Sequence, residues 1–166
     1  MVQKVLFTGA TGFIGIEVSW QLAERGMRLR LMVRRPVRGL MLRNLDAEIM
    51  RADIRSLESL RRILNGIDTV IHLGARAAFE PYTRLYPSIV KGSLNLMQAA
   101  IEKRVSNFVY GGSLLVYGNT ANSIDQETVP SPMSGYGRAK LEAEQRLEKM
   151  ATEAGICFIS LRLPHV

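Results

Sequence analysis

The chain reads as an α/β protein on a doubly wound parallel sheet of about six strands with helices on both faces, and three observations carry that reading. Short runs rich in apolar or β-branched residues recur along the 166 residues. Helical patterns fill the intervals between those runs. Three glycines spaced three apart, Gly9, Gly12 and Gly15, stand between the first run and the first helix. Near-continuous apolar strands separated by helices imply a parallel sheet buried on both faces.

The first strand is Lys4–Thr8. The helix Gly12–Arg25 follows and stops at Gly26, a residue suited to the position just past a helix. Arg28–Arg34 is the second strand, and Arg35–Leu45 is a basic loop with Pro36 and Gly39. Ala47–Met50 is the third strand; the helix Ser56–Leu64 starts at a serine cap and ends near Gly66. Thr69–Leu73 is the fourth strand, the helix Tyr86–Lys103 leads to the fifth, Asn107–Tyr110, and a long polar segment with Pro130 and Pro132, Gly118–Ser134, leads to the helix Ser134–Ala154. Long loops in compact domains are often functional. Cys157–Leu161 is the sixth strand, and its lone cysteine, Cys157, reads as a small buried core residue with no internal disulfide open to it.

The glycine turn suggests a ligand. A helix N-terminus carries about +0.5 charge and several unpaired N–H donors, so a turn without Cβ atoms there lets a pyrophosphate touch the backbone. A dinucleotide site is expected at the start of the chain, on a Rossmann-type sheet. A glycine-rich turn without a ligand is the plain alternative.

Composition narrows the classes. No apolar stretch is long enough to span a bilayer and no signal-type leader precedes the first strand, so a cytoplasmic protein with no membrane partner is expected. His72 and His165 are far apart and lack neighbours at ligand spacing, so no metal is expected. The net charge of +7 raises the question of nucleic acid. Its arginines are scattered, without basic runs or interleaved aromatics, so a solvated face or an anionic small molecule is the reading and nucleic acid is not a partner.

Tyr136 and Lys140, four apart at the start of a helix, share one face. A phenol with pKa about 10 needs about 4 kcal/mol of phenolate stabilisation to work near neutrality, and a neighbouring ammonium helps supply it. Ser113 lies beyond the fifth strand, at the sheet end where ligands of open parallel sheets bind. Its hydroxyl there can orient a substrate oxygen while Tyr136 exchanges the proton. A serine satisfying local backbone and an exposed, inert Tyr-Lys pair are the alternatives.

The opening TGATGFIG, the pair Asp53-Ile54, the strand end His72-Leu73-Gly74-Ala75, the segment from Ser113 to Val116-Tyr117-Gly118, and the pentapeptide YGRAK occur in one order over nearly the whole chain. Together they resemble the extended short-chain dehydrogenase/reductase superfamily, of the NAD(P)-dependent epimerase/dehydratase type. The resemblance implies one nucleotide-binding domain over residues 1–166, with the region after the sixth strand that sets substrate specificity missing. It implies that Gly9, Gly12 and Gly15 hold the pyrophosphate, with Thr11, Phe13 and Ile14 among the cofactor-binding residues, that Asp53 and Ile54 flank the adenine, and that Leu73, Gly74 and Ala75 line the passage to the nicotinamide. Ser113 and Tyr136 would be the catalytic pair, and Lys140 would hold the ribose and lower the phenol pKa. Arg34 ends the second strand where NAD enzymes place an acidic residue, so NADP is expected over NAD, with Arg35 assisting. Ile89 departs from the pattern, occupying the place of the family's asparagine. The expected activity is hydride transfer on a nucleotide-sugar or similar substrate; the alternative is a non-catalytic NADP(H) sensor or scaffold. By the same analogy, the helices at 86–103 and 134–154 would pair across a two-fold axis in a homodimer.

Overall fold

Val5, Leu6 and Phe7 are all buried, although they point alternately to opposite faces of strand β1 (Lys4–Thr8), because apolar layers lie on both sides of it. The computed structural model describes residues 3–35, 39–76, 80–119 and 123–164. Strands β2 (Arg28–Val33), β3 (Ala47–Arg51), β4 (Thr69–His72), β5 (Asn107–Ser113) and β6 (Cys157–Leu163) join β1 in one parallel sheet of order β3-β2-β1-β4-β5-β6. The chain starts in the middle, runs out to β3, then crosses to the other side. The reversal falls between β1 and β4, the place where such sheets open a ligand crevice.

On one face, Val5, Phe7, Leu29 and Leu31 pack with Ile16 and Leu22 of helix α1 (Phe13–Glu24) and with Leu42 of the short 3-10 turn Leu40–Leu42. The other face is the larger core. There Leu6, Val70 and Phe108 meet helices α2 (Leu57–Ile63), α3 (Tyr82–Glu102) and α4 (Gly135–Ala154) through Leu60, Leu96 and Leu147. Local signals hold the helix ends. Ser56 Oγ accepts from Ser59 N at 3.3 Å and Ser134 Oγ from Gly137 N at 2.9 Å, while Gly155 closes α4 in the left-handed conformation at φ +70°.

Three features differ from the sequence expectation. Cys157 is exposed, because β6 is an edge strand and only its Phe158, Ser160 and Arg162 side turns toward α4; Ile159 and Leu161 share the outward side with the cysteine. β3, at the other edge, is likewise only partly covered. α3 begins at Tyr82 rather than Tyr86, so Pro87 sits inside the helix instead of in its first turn. β5 runs to Ser113 instead of stopping at Tyr110, because Gly111 and Gly112 continue the pairing with Leu161 and Arg162 of β6. Outward residues of the two long helices include Arg84, Lys91 and Gln98 on α3 and Gln145, Arg146 and Lys149 on α4. Pro36 and His165 lie outside the described residues.

Candidate active site

Three backbones meet at the crevice, and glycine is what lets them meet. Gly9 has φ +88°, and a Cβ there would stand 2.7 Å from the amide nitrogen of Gly74 at the exit of β4. A Cβ on Gly15 would stand 2.0 Å from the carbonyl oxygen of Gly9, so the first turn of α1 rests directly on the strand exit. Gly12 caps α1 and donates its N–H to Gly9 O at 2.9 Å. No acidic residue lies in that first turn, so the positive end of the helix is uncompensated. Thr11 and Ile14 are half-buried beside it and Phe13 is 83% exposed.

At the far ends of β2 and β3 lies a cavity of about 370 Å³ whose lining includes Arg34, Arg51, Arg62 and Asp53. Arg55 binds both oxygens of Asp53, with Nη2–Oδ2 at 2.7 Å and Nε–Oδ1 at 3.1 Å, and holds that carboxyl down at about 2. The carboxylate is therefore spent on Arg55. Ile54 packs against Gly92 of α3, where a Cβ would stand 2.8 Å from Ile54 Cγ2. Arg35 is exposed and does not line the cavity. Leu73 and Gly74 are half-buried at the exit of β4, and Ala75 is exposed.

Ser113 ends β5 and caps the 3-10 turn Leu114–Tyr117; its Oγ accepts from Leu115 N at 3.2 Å, and among the described residues its own proton has no acceptor. α4 packs on this turn because Gly137 allows it: a Cβ there would stand 2.4 Å from Leu115 O. That contact brings Tyr136 and Lys140 to the Ser113 end of the sheet. Lys140 is buried and donates from Nζ to Gly111 O at 2.6 Å, with its ammonium 5.9 Å from the centre of the Tyr136 ring and 4.7 Å from that of Tyr110. Burial pushes the lysine down to about 8, opposed by Glu144. The expected lowering of the phenol is not what this geometry produces, since burial holds Tyr136 above its ordinary value.

Sequence reading missed two polar clusters. Glu144, buried on α4, accepts from Ser160 Oγ at 2.7 Å and from Arg162, whose Nη1 also donates to the Tyr117 hydroxyl. His72 is bonded on both ring nitrogens, to Thr8 and Ser93. Ile89 is buried among apolar side chains and offers only its carbonyl, to Ser93. The one available signal was register: Thr8 and His72 are the last residues of two strands that prove to be neighbours. Among the described residues no cluster of His, Cys, Asp or Glu could hold a metal.

The NAD dependent epimerase/dehydratase family matches residues 5–166. The chain belongs to that family. UDP-glucose 4-epimerase of Yersinia pestis is 33% identical over 161 residues, covering 87% of this chain and 47% of that protein. Cinnamoyl-CoA reductase 1 of Petunia hybrida is 30% identical over 176 residues, covering 96% of this chain and 52% of that protein. Among solved structures, MoeE5 in complex with UDP-glucose and NAD matches with a TM-score of 0.84 at 32% identity, covering 96% of this chain and 53% of that one. This member of the epimerase/dehydratase family thus spans about half the length of curated relatives such as these. The family is NAD-dependent by its description, and MoeE5 was solved with NAD; the preference for NADP expected from Arg34 finds no support in these relatives.

Proposed function

We propose that the chain is the nucleotide-binding half of an enzyme that takes up a nicotinamide dinucleotide and transfers hydride at a carbinol or carbonyl carbon of a nucleotide-sugar or similar small substrate. The observation that carries this reading is the close approach of the Gly9, Gly15 and Gly74 backbones, which any Cβ would prevent, beside a helix N-terminus with no acidic residue in its first turn. Those features suit a pyrophosphate, with Thr11, Gly12, Phe13 and Ile14 around it. When bound, the nicotinamide supplies the hydride exchange.

The chain's own side chains handle the oxygen and the proton. Ser113 donates its hydroxyl proton to the substrate oxygen and orients it. Tyr136, kept protonated by burial, gives its proton to that oxygen when a carbonyl is reduced and takes one back when a carbinol is oxidised. Lys140 has two of its three ammonium protons left after Gly111, enough to hold ribose hydroxyls and to favour the phenolate as it forms. Leu73, Gly74 and Ala75 border the nicotinamide end, and Asp53 and Ile54 the adenine end.

The cofactor in this reading is NADP. What supports it is the cavity bordered by Arg34, Arg51 and Arg62, whose nearby carboxylate, Asp53, is already paired with Arg55. A phosphomonoester there meets cations, while a bare ribose hydroxyl meets no free carboxylate. Titrating the longest native form of the chain with NADP and NAD tests both points. Uptake of NADP that weakens relative to NAD in Arg34→Ala bears the assignment out, an unchanged ratio defeats it, and no uptake of either nucleotide defeats the whole proposal.

The partner is a small molecule and the place of action the cytoplasm. No helix among the described residues is long and apolar enough to cross a membrane. A second copy pairing through α3 and α4 is part of this reading, and the oligomeric state of the longest native form tests it. Ile89, which has no side-chain amide, favours the alternative of a non-catalytic NADP(H) sensor. Turnover across a panel of sugar nucleotides and ketones separates the two.

A further inference from the structure

His72 is a fully buried imidazole that the chemistry above leaves unused, and the hydrogen bonds around it run in one direction. Gly74 N donates to Thr8 Oγ1 at 3.2 Å, Thr8 Oγ1 lies 2.6 Å from His72 Nδ1, His72 Nε2 lies 2.9 Å from Ser93 Oγ, and Ser93 Oγ donates to Ile89 O at 2.5 Å. Ser93 has one hydroxyl proton, and the Ile89 carbonyl takes it. Nε2 must therefore be the donor to Ser93. A neutral imidazole has only that one N–H, so Nδ1 is bare and accepts from Thr8.

Neutrality has its own causes. Burial, and then the Lys140 ammonium, hold the imidazole down at about 3. The groups that face it are few. Tyr110 of β5 lies with its ring centre 5.7 Å away, Phe108 stands edge-on at 6.3 Å, and Lys140 Nζ of α4 lies 4.7 Å from the centre of the Tyr110 ring. Glu144 offsets Lys140, but among the described residues no carboxylate acts on His72 itself, so a second cation here would oppose the ammonium.

We propose that His72, locked as the Nε2–H tautomer, is a positioning residue that ties the cofactor cradle at Gly74 to α3 at Ile89, the turn of helix where this chain lacks the family's asparagine. Gly74 is the backbone against which Gly9 is pressed, so whatever fixes Gly74 fixes the floor of the cradle. Thr8 fixes it from β1, and His72 carries that constraint across β4 to α3, whose contact at the adenine end is a separate one, Asn95 Nδ2 to Ile54 O at 3.3 Å. Thr8 and His72 are in register at the paired ends of β1 and β4, so the link adds no strain to the strands. The role toward a cofactor rests on the dinucleotide reading; the bonded chain does not.

The test separates the two. In a His165→Gln background one imidazole remains, and its nitrogen NMR signals should show the neutral Nε2–H form unchanged between pH 8 and pH 5. Ser93→Ala should erase the tautomer preference, whereas Thr8→Val, which leaves Nε2–H on Ser93, should weaken NADP or NAD binding by about five- to tenfold, as expected for one buried hydrogen bond, with Thr8→Ser restoring the affinity. A generally destabilised fold would lower melting temperature without changing the tautomer. An Nδ1–H signature, or titration within that pH range, overturns the chain while leaving nucleotide uptake intact. An Nε2–H signature with affinity unmoved in Thr8→Val overturns the positioning role, and the same signature without any nucleotide uptake overturns the role together with the dinucleotide reading.

Discussion

Single atoms decide the site. Replacing Gly15 by alanine places a methyl group 2.0 Å from the Gly9 carbonyl, so either α1 or the strand exit must move. Gly15→Ala is expected to lose roughly 1–3 kcal/mol of stability and to abolish dinucleotide uptake, measured by denaturant melts and calorimetry. Tyr136→Phe removes a proton and little volume. In the proposed reading turnover of the full-length protein falls about 10²- to 10⁴-fold while nucleotide binding persists, and a loss of binding instead would show the phenol to be a contact rather than an acid. His72 makes a prediction about pH. Its folded-state value near 3 lies below the ordinary 6.5, so between these pH values the unfolded chain binds the extra proton. Stability is full above pH 6.5 and drains as pH falls toward 3, by at most about 1.4 kcal/mol per pH unit from this group. His72→Gln should flatten the acid limb of the stability curve, and an unchanged limb would mean that carboxylates dominate it.

Elements carry the site through their ends. The N-terminus of α4 presents Tyr136, and two local residues place it: Ser134 caps the helix and Gly137 lets its first turn rest on Leu115. Ser134→Ala is expected to cost about 1 kcal/mol, read from the denaturant midpoint, with Lys140 still on Gly111. Gly137→Val should be worse for function than for stability, because it lifts the turn that aligns Ser113 with Tyr136. A variant with turnover equal to wild type would show that this contact does not align them. Caps of this kind are legible in sequence, since Ser134 and Ser56 bond within three residues of themselves. The end of β5 was not legible. Gly111 and Gly112 have poor strand propensity, and only pairing with β6 extends the strand to Ser113. The start of α3 at Tyr82 was not legible for a similar reason: Pro87 disfavours a helix interior locally, yet α3 runs through it because Leu85, Ile89 and Leu96 are buried on one side.

At the scale of the whole molecule the sheet is covered unevenly. Leu147 of α4 is fully buried in the larger core, while Ile159 and Leu161 of the edge strand are 49% and 46% exposed. Leu147→Ala should therefore cost about 2–5 kcal/mol, whereas Ile159→Thr in the same chain should stay within about 0.5 kcal/mol, both read from equilibrium unfolding. The same unevenness explains Cys157, whose apolar neighbours suggested a core position that an edge strand does not provide. By itself the sequence determined the order of elements, the parallel sheet, the glycine turn at the crevice and the face shared by Tyr136 and Lys140. Each of these depends on residues within a few positions of one another, through periodicity, capping and the absence of Cβ atoms. Only the tertiary structure decided that Lys140 bonds Gly111, that Arg34 shares a cavity with Arg51 and Arg62, and that His72 joins Thr8 to Ser93. Those contacts join residues 11 to 64 positions apart, and which of them meet is set by strand order and register, quantities that no local pattern encodes.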